Sequence, residues 1–371
     1  MKNTLAFILL IISLHVLGQG KKTNNISLML PFCSKQILAN PNYKDAELGK
    51  LCREYYQGAL IALDDFEKQK INIRLSVFDT ENDSMTTYRI TQKTAFKESE
   101  LIIGPVRQGG NKVLSQFAKK NNVFHVSPLM TFSKTKLDDP YWVSAIPDVP
   151  SYAGILYKHI TAVDANAQII VVADKSIMGK SIANAFRQML KDNKTAKIKV
   201  VDYAPNFNIT AYSSLTLNNH IVVAATQEST VNGTLRSIKD TTNITGLHTY
   251  GLMQWFNFRN VDYNLYQRCN TFIATPFYVD YTRPEVAAFV NAYRDKFNTD
   301  PSEEAFKGYD QLMLFGEALS KEGKKFMDEL ENRQITLLGT TYNFIKQKEG
   351  CYQTVYLNML KLDNFSLKKL N

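Results

Sequence analysis

The chain has 371 residues, 44% of them hydrophobic and 21% charged, with a formal charge of +9. Ordinary globular composition at roughly 100–200 residues per domain gives an expectation of two or three domains. The basic residues are scattered, with short pairs such as Lys119-Lys120 and Lys368-Lys369. That spread argues against a nucleic-acid-binding stripe and for a solvated surface.

At the start, Lys2 precedes an apolar run over 5–14 that continues through Val16-Leu17-Gly18. A basic start, a run too short to span a bilayer and small residues at its end read as a signal peptide over 1–19. The mature chain is expected to be periplasmic, beginning near Gln19. No Cys follows closely to carry a lipid anchor, and no second long apolar stretch occurs.

Strand-like and helix-like segments then alternate. Strands are expected at 25–31, 71–78, 101–103, 123–126 and 142–146, with helices at 52–68, 86–96 and 110–121 between them. In the first helix Tyr56, Ala59, Leu60 and Leu63 share one face. The pattern restarts with a helix at 152–163 and strands at 168–173, 198–203, 220–225, 248–252 and 271–275. Helices at 179–191 and 230–238 separate them. Long helices follow at 284–297 and 302–321, and 352–362 reads as an extended stretch at a strand-pair edge. Repeated βα units imply α/β architecture with parallel sheets covered by helices on both faces.

In such sheets ligands sit beyond the carboxyl ends of the strands. The loops concerned are 31–35, 79–83, 104–110 and 127–133 in the first unit, and 174–179, 226–230 and 254–257 in the second. Gly109-Gly110 and the segment through Met130 and Thr131 offer backbone amides and hydroxyls suited to an anion. Met178-Gly-Lys-Ser181 opens a helix after a strand, as in a phosphate-binding loop, but the Gly required five residues before Gly179 is Asp174. Four cysteines, Cys33, Cys52, Cys269 and Cys351, allow three pairings in an oxidising compartment, and none has the CxxC spacing of a metal or redox site. His125 and His220 lie in apolar strands, where structural roles are expected. No nucleophile motif such as GxSxG is present, so no enzymatic activity, no cofactor and no metal are expected.

Ile102-Ile-Gly-Pro105 with the helix behind it and Val126-Ser-Pro128 resembles type I periplasmic binding proteins. So do Tyr55-Tyr-Gln-Gly-Ala-Leu60, Asp79-Thr-Glu-Asn-Asp83 and Ala305-Phe-Lys-Gly-Tyr-Asp310. The branched-chain amino-acid binders of ABC transporters are most similar in pattern, over roughly 26–370. The resemblance implies two Rossmann-like lobes joined by a three-crossover hinge. It implies lobe I at 24–147 plus 276–335, lobe II at 148–275 plus 336–371, and crossings near Pro147, Thr275 and Leu338. Disulfides Cys33–Cys52 and Cys269–Cys351 would then stay within lobes. By position, Gln108 and Thr131 match residues that hold a ligand carboxylate, with Gly109 and Met130 beside them. Met178 stands where a ring commonly lines the cleft. Met253 or Gln254 stands where an acid meets an ammonium, and neither is acidic. Trp255, Phe277 and Tyr278 are expected to stack on a ring or sugar face.

Two functions follow from the resemblance. One is a monomeric solute receptor that closes on a small polar ligand and delivers it to a membrane permease. The other is a cell-envelope interaction protein, for example a regulator of cell-wall synthesis, with a degenerate cleft.

Overall fold

The computed structural model describes residues 22–129, 139–239, 246–348 and 350–370, so the proposed signal peptide lies outside the described residues. Two mixed sheets form two α/β lobes. The first sheet runs, in spatial order, Gln334–Thr336, Thr341–Lys346, Tyr352–Thr354, Trp142–Ser144, Phe124–Ser127, Leu101–Ile103, Asn24–Leu30 and Ile73–Asp79. The second runs Ser366–Lys369, Asn358–Asp363, Thr271–Thr275, Leu247–Leu252, Asn219–Ala224, Gln168–Ala173 and Ile198–Asp202. Each has a parallel body, and antiparallel strands from the C-terminal part of the chain extend one edge. The expected parallel sheets are thus each extended at one edge by antiparallel strands.

The innermost strands are mostly apolar because helices cover both faces. Gln168–Ala173 and Asn219–Ala224 are buried at every position. The helices carry amphipathic faces into separate cores on either side of each sheet. In the first lobe the helices Ala46–Lys68 and Glu303–Glu322 pack at unusually close range. A Cβ at Gly58 would lie 1.8 Å from the Ala305 carbonyl oxygen, and one at Gly308 would lie 1.9 Å from that of Tyr55. The glycines of the two sequence motifs thus face each other's backbone, where no larger residue fits.

The chain passes between the sheets three times. It leaves the first sheet after Ser144 and returns after Thr275. It passes to the second again between Thr354 and Asn358. The third crossing expected near Leu338 is therefore corrected, because Thr341–Lys346 and Tyr352–Thr354 still pair in the first sheet. The strand pair expected at 352–362 divides between the sheets, Tyr352–Thr354 in the first and Asn358–Asp363 in the second.

The segment around Leu338 has a different role. Asp310, fully buried in the helix Glu303–Glu322, accepts hydrogen bonds from the amides of Leu338, Gly339 and Thr340, each at 2.9 Å. Burial pushes its pKa up to about 7, against the pull of these three donors. Tyr278 N in turn donates to Gly339 O at 2.8 Å, and Phe277 bridges Thr340. The second crossing is thereby tied to a segment of the first lobe.

Among the described residues no cysteine is in a disulfide. The pairing Cys269–Cys351 is corrected by topology. Cys269 lies in the second core with its thiol on Leu235 O, whereas Cys351 packs on Trp142 beside the first sheet. Cys33 and Cys52 are both buried in the first lobe as thiols, and burial pushes Cys33 up to about 11 and Cys52 higher still. No helix among the described residues is long and apolar enough to cross a membrane.

The strand histidines are structural. His125 Nε2 meets Asp139 Oδ2 at 2.8 Å with both side chains buried. His220 Nδ1 meets the Tyr250 hydroxyl at 2.9 Å, and its ring stacks on His248 with centroids 4.7 Å apart.

Two stability predictions follow from these contacts. Asp310→Asn sets an amide NH2 against backbone donors and should cost about 2–4 kcal/mol in chemical denaturation. Burial, and next the His248 imidazole, lower the His220 pKa from 6.5 to about 4. The folded state therefore holds this ring neutral. The resulting stability is complete above pH 6.5 and is lost as pH falls toward 4, on the order of 3 kcal/mol. The slope of denaturation midpoint against pH in that window should flatten in His220→Gln.

Candidate functional site

The strand tips of each lobe are organised by a carboxylate. In the first lobe Asp79 accepts from the amides of Cys33 (3.0 Å), Ser34 (2.9 Å) and Glu81 (2.9 Å). In the second, Asp174 accepts from the amides of Thr226 (2.7 Å), Gln227 (2.9 Å) and Ser176 (3.0 Å), and from the Ser176 hydroxyl. Burial works to raise the Asp174 pKa, yet the Ser176 hydroxyl and the three amides outweigh it and hold the group below the ordinary carboxylate range. Gly179 is tucked between Asp174 and the next strand. A Cβ there would lie 2.3 Å from Asp174 Oδ1 and 2.5 Å from Ala224 O. Met178-Gly-Lys-Ser181 is thus a close-packing turn capped by Ser176, whose Oγ accepts from Gly179 N at 3.0 Å.

A cavity of about 270 Å³ opens where the chain crosses between the lobes. Ile146, Pro147, Asp148 and Val149 come from the first crossing, Ala274, Thr275 and Pro276 from the second, and Leu357 from the third. Tyr152, Met178, Ile182, Leu252, Met253 and Gln254 supply the second-lobe wall, and Glu303 faces it from the first lobe. The lining is mainly apolar. Its two carboxylates are already engaged: Asp148 Oδ1 accepts from Ser151 N at 2.8 Å, and Glu303 pairs with Lys307 Nζ at 2.6 Å.

The structure brings together only part of the set expected from the sequence. Met178, 40% exposed, and Gln254 line the cavity with Met253. Pro147 and Thr275, named as hinge positions, line it as well. Trp255 does not. It is wholly buried, its Nε1 donates to Ala225 O at 3.1 Å and its ring stacks on Tyr266. The expectation of a stacking platform at Trp255 is corrected: the ring is already enclosed by protein. Tyr278 also packs on the second core, with its hydroxyl donating to Leu367 O at 3.3 Å, and Phe277 lies under the Lys307 ammonium. Gln108 and Gly109 are exposed at the start of the helix Gln108–Asn121. Gly109 borders a separate, smaller cavity of about 60 Å³ with Pro31, Thr80 and Arg107. Met130 and Thr131 lie outside the described residues.

Tyr152, Leu252, Leu357 and Glu303 were not expected in the lining. Each sits at the end or start of a regular element, and only the positions of the crossings would have pointed to them.

A model of the periplasmic binding protein family matches residues 48–363. The chain belongs to that family. Its fold is the type I periplasmic binding fold, and the family is one of substrate binding rather than catalysis. Among solved structures, a protein assigned as a branched-chain amino acid ABC transporter from Rhodospirillum rubrum superposes with a TM-score of 0.70 at 15% identity, covering 94% of this chain and 100% of that one. An ABC transporter substrate-binding protein from Desulfitobacterium hafniense, in complex with Leu, gives 0.58 at 15% over 94% and 100%. Full-length LpoA from Haemophilus influenzae gives 0.62 at 13%, covering 95% of this chain and 60% of that one. No curated protein matches the chain by sequence.

If Asp174 organises the second-lobe rim, Asp174→Asn should lower stability by about 1–3 kcal/mol. Amide exchange at Thr226 and Gln227 should quicken by more than at amides of the strand Gln168–Ala173.

Proposed function

We propose that this periplasmic binding protein is an exported solute receptor that holds a small molecule in the hinge cavity and closes its lobes over it for delivery to a membrane permease. The observation that carries this reading is the cavity itself. It is lined by all three crossings, so an occupant touches the segments that must bend when two lobes close. Its volume suits a small metabolite, and Met178, Leu252, Met253 and Leu357 suit an apolar body. The flexible methionines adapt to more than one shape. Support also comes from the D. hafniense relative, whose bound Leu has such a body.

The polar end of the ligand is the less ordinary part. Where an amino-acid binder is expected to present an acid, Met253 and Gln254 stand. An ammonium buried against them would lack a counter-charge. Glu303 and Asp148 are the carboxylates within reach, both already occupied. Ligands hydrogen-bonding through neutral groups to Gln254 therefore fit better than free α-amino acids.

The test is a thermal-shift screen of branched-chain amino acids, their 2-oxo acids and small neutral amides, followed by titration. A ligand at 100 times its Kd adds about 2.7 kcal/mol to the folded state. Met178→Asp should abolish that shift while leaving the unliganded melting temperature within about 2 °C, since the side chain is exposed. If no small molecule stabilises the protein and an envelope protein is captured instead, the solute-receptor reading fails and an interaction role replaces it.

A further inference from the structure

A second cavity, of about 340 Å³, lies on the flank of the second lobe and shares no lining residue with the hinge cavity. Two helices supply its walls. Glu228–Lys239 contributes Asn232 and Arg236, and Tyr263–Arg268 contributes Asn264 and Arg268. Each helix thus presents an Asn and, four residues on, an Arg. That spacing puts the pair on one face. Asn260 and Asp262 close the rim and Leu265 forms part of the floor.

The charge arrangement here is unbalanced. Arg187, Arg283, Arg294 and Arg333 each have a carboxylate at ion-pair distance. Among the described residues Arg236 and Arg268 have none, although they share one cavity. Of the nearby carboxylates, Asp262 stands on the rim without ion-pairing either arginine, and Glu228 caps a backbone amide. Asp262 Oδ1 accepts from Asn264 N at 2.9 Å and Nδ2 at 3.0 Å, and Glu228 Oε1 accepts from Asn260 N. Two guanidinium groups turned to a common space repel each other. An oxyanion between them removes the repulsion and matches their forked donors. The surrounding amides of Asn232, Asn260 and Asn264 present both donors and acceptors, the set that hydroxyl groups require.

We propose that this flank cavity is a binding site for an oxyanion carried on a polyol, with Arg236 and Arg268 reading the phosphate or carboxylate and the asparagine amides reading the hydroxyls. The site is separate from the hinge cavity, with which it shares no lining residue.

Isothermal titration of the full chain at low salt, with glucose 6-phosphate, glucuronate and glucose, tests it. One equivalent of at least one anion should bind saturably, with affinity falling as NaCl is added, and glucose should not bind. The tighter anion identifies the oxyanion type. Arg236→Gln and Arg268→Gln should each weaken binding, and the double variant by at least about tenfold. Both side chains are exposed, so the double variant should keep the circular dichroism of the parent. Met178→Asp, which alters the hinge cavity, should leave this binding intact. The proposal is overturned if neither anion binds, if glucose binds as well as they do, or if the double variant binds them unchanged.

Discussion

A single buried carboxylate, Asp310, holds together the part of the molecule where the chain crosses between its two sheets. It sits inside the first-lobe helix Glu303–Glu322 and gathers the amides of Leu338, Gly339 and Thr340. Gly339 and Thr340 then pair with Tyr278 and Phe277, immediately after Thr275 and Pro276, which line the cavity. The position of the second crossing thus descends, bond by bond, from one side chain. Burying an acid is costly unless its oxygens are satisfied, and each charge-assisted bond to an amide returns about 1.5–3 kcal/mol. A pKa raised from 3.8 to about 7 shows that burial outweighs the three donors at this point. The same helix needs close contact with Ala46–Lys68, made possible by Gly58 and Gly308. A bulky residue at either glycine would displace the helix that carries Asp310, and with it the crossing.

The rims of the cleft use the same chemistry on a smaller scale. Asp79 and Asp174 stand at the ends of strands in different sheets, and each collects amides from the turn after a neighbouring strand. Loops fixed in this way move with their lobe rather than independently. The rims are therefore stiff while the connections between lobes are few, a combination that favours rigid-body closure over local rearrangement.

Much of this was legible in the residues. The strands Gln168–Ala173 and Thr271–Thr275 and the helix Pro284–Phe297 follow directly from apolar runs and from a proline at a helix start. The motifs that carry the resemblance turn out to be the close-packed glycines, the rim carboxylate Asp79 and the hinge carboxylate Asp310. What could not be read was partnering at a distance. Nothing local in Tyr352–Thr354 and Asn358–Asp363 says that they belong to different sheets, because a strand's partner is fixed by tertiary packing. Trp255 was misplaced for a similar reason. It follows a strand tip, where exposed aromatics often serve ligands, but Met253–Asn257 is a 3₁₀ turn. Successive side chains there point about 120° apart, so Gln254 faces out and Trp255 faces in.

The flank cavity and the cleft rim meet through one element. The helix Glu228–Lys239 begins directly after Gln227, whose amide is held by Asp174 at the cleft rim. One turn along, it presents Asn232 and then Arg236 to the flank cavity. An anion bridging Arg236 and Arg268 would brace this helix against Tyr263–Arg268, and the strand Thr271–Thr275 that follows leads to Thr275 at the hinge cavity. Flank and hinge are therefore linked by regular elements whose ends are both pinned by hydrogen bonds. Any energetic coupling between them would have to be reciprocal, each occupant altering the affinity for the other by the same factor. Because the cleft-side end is already fixed by Asp174, the brace has little left to order there, and the physical expectation is two sites that bind side by side with weak coupling.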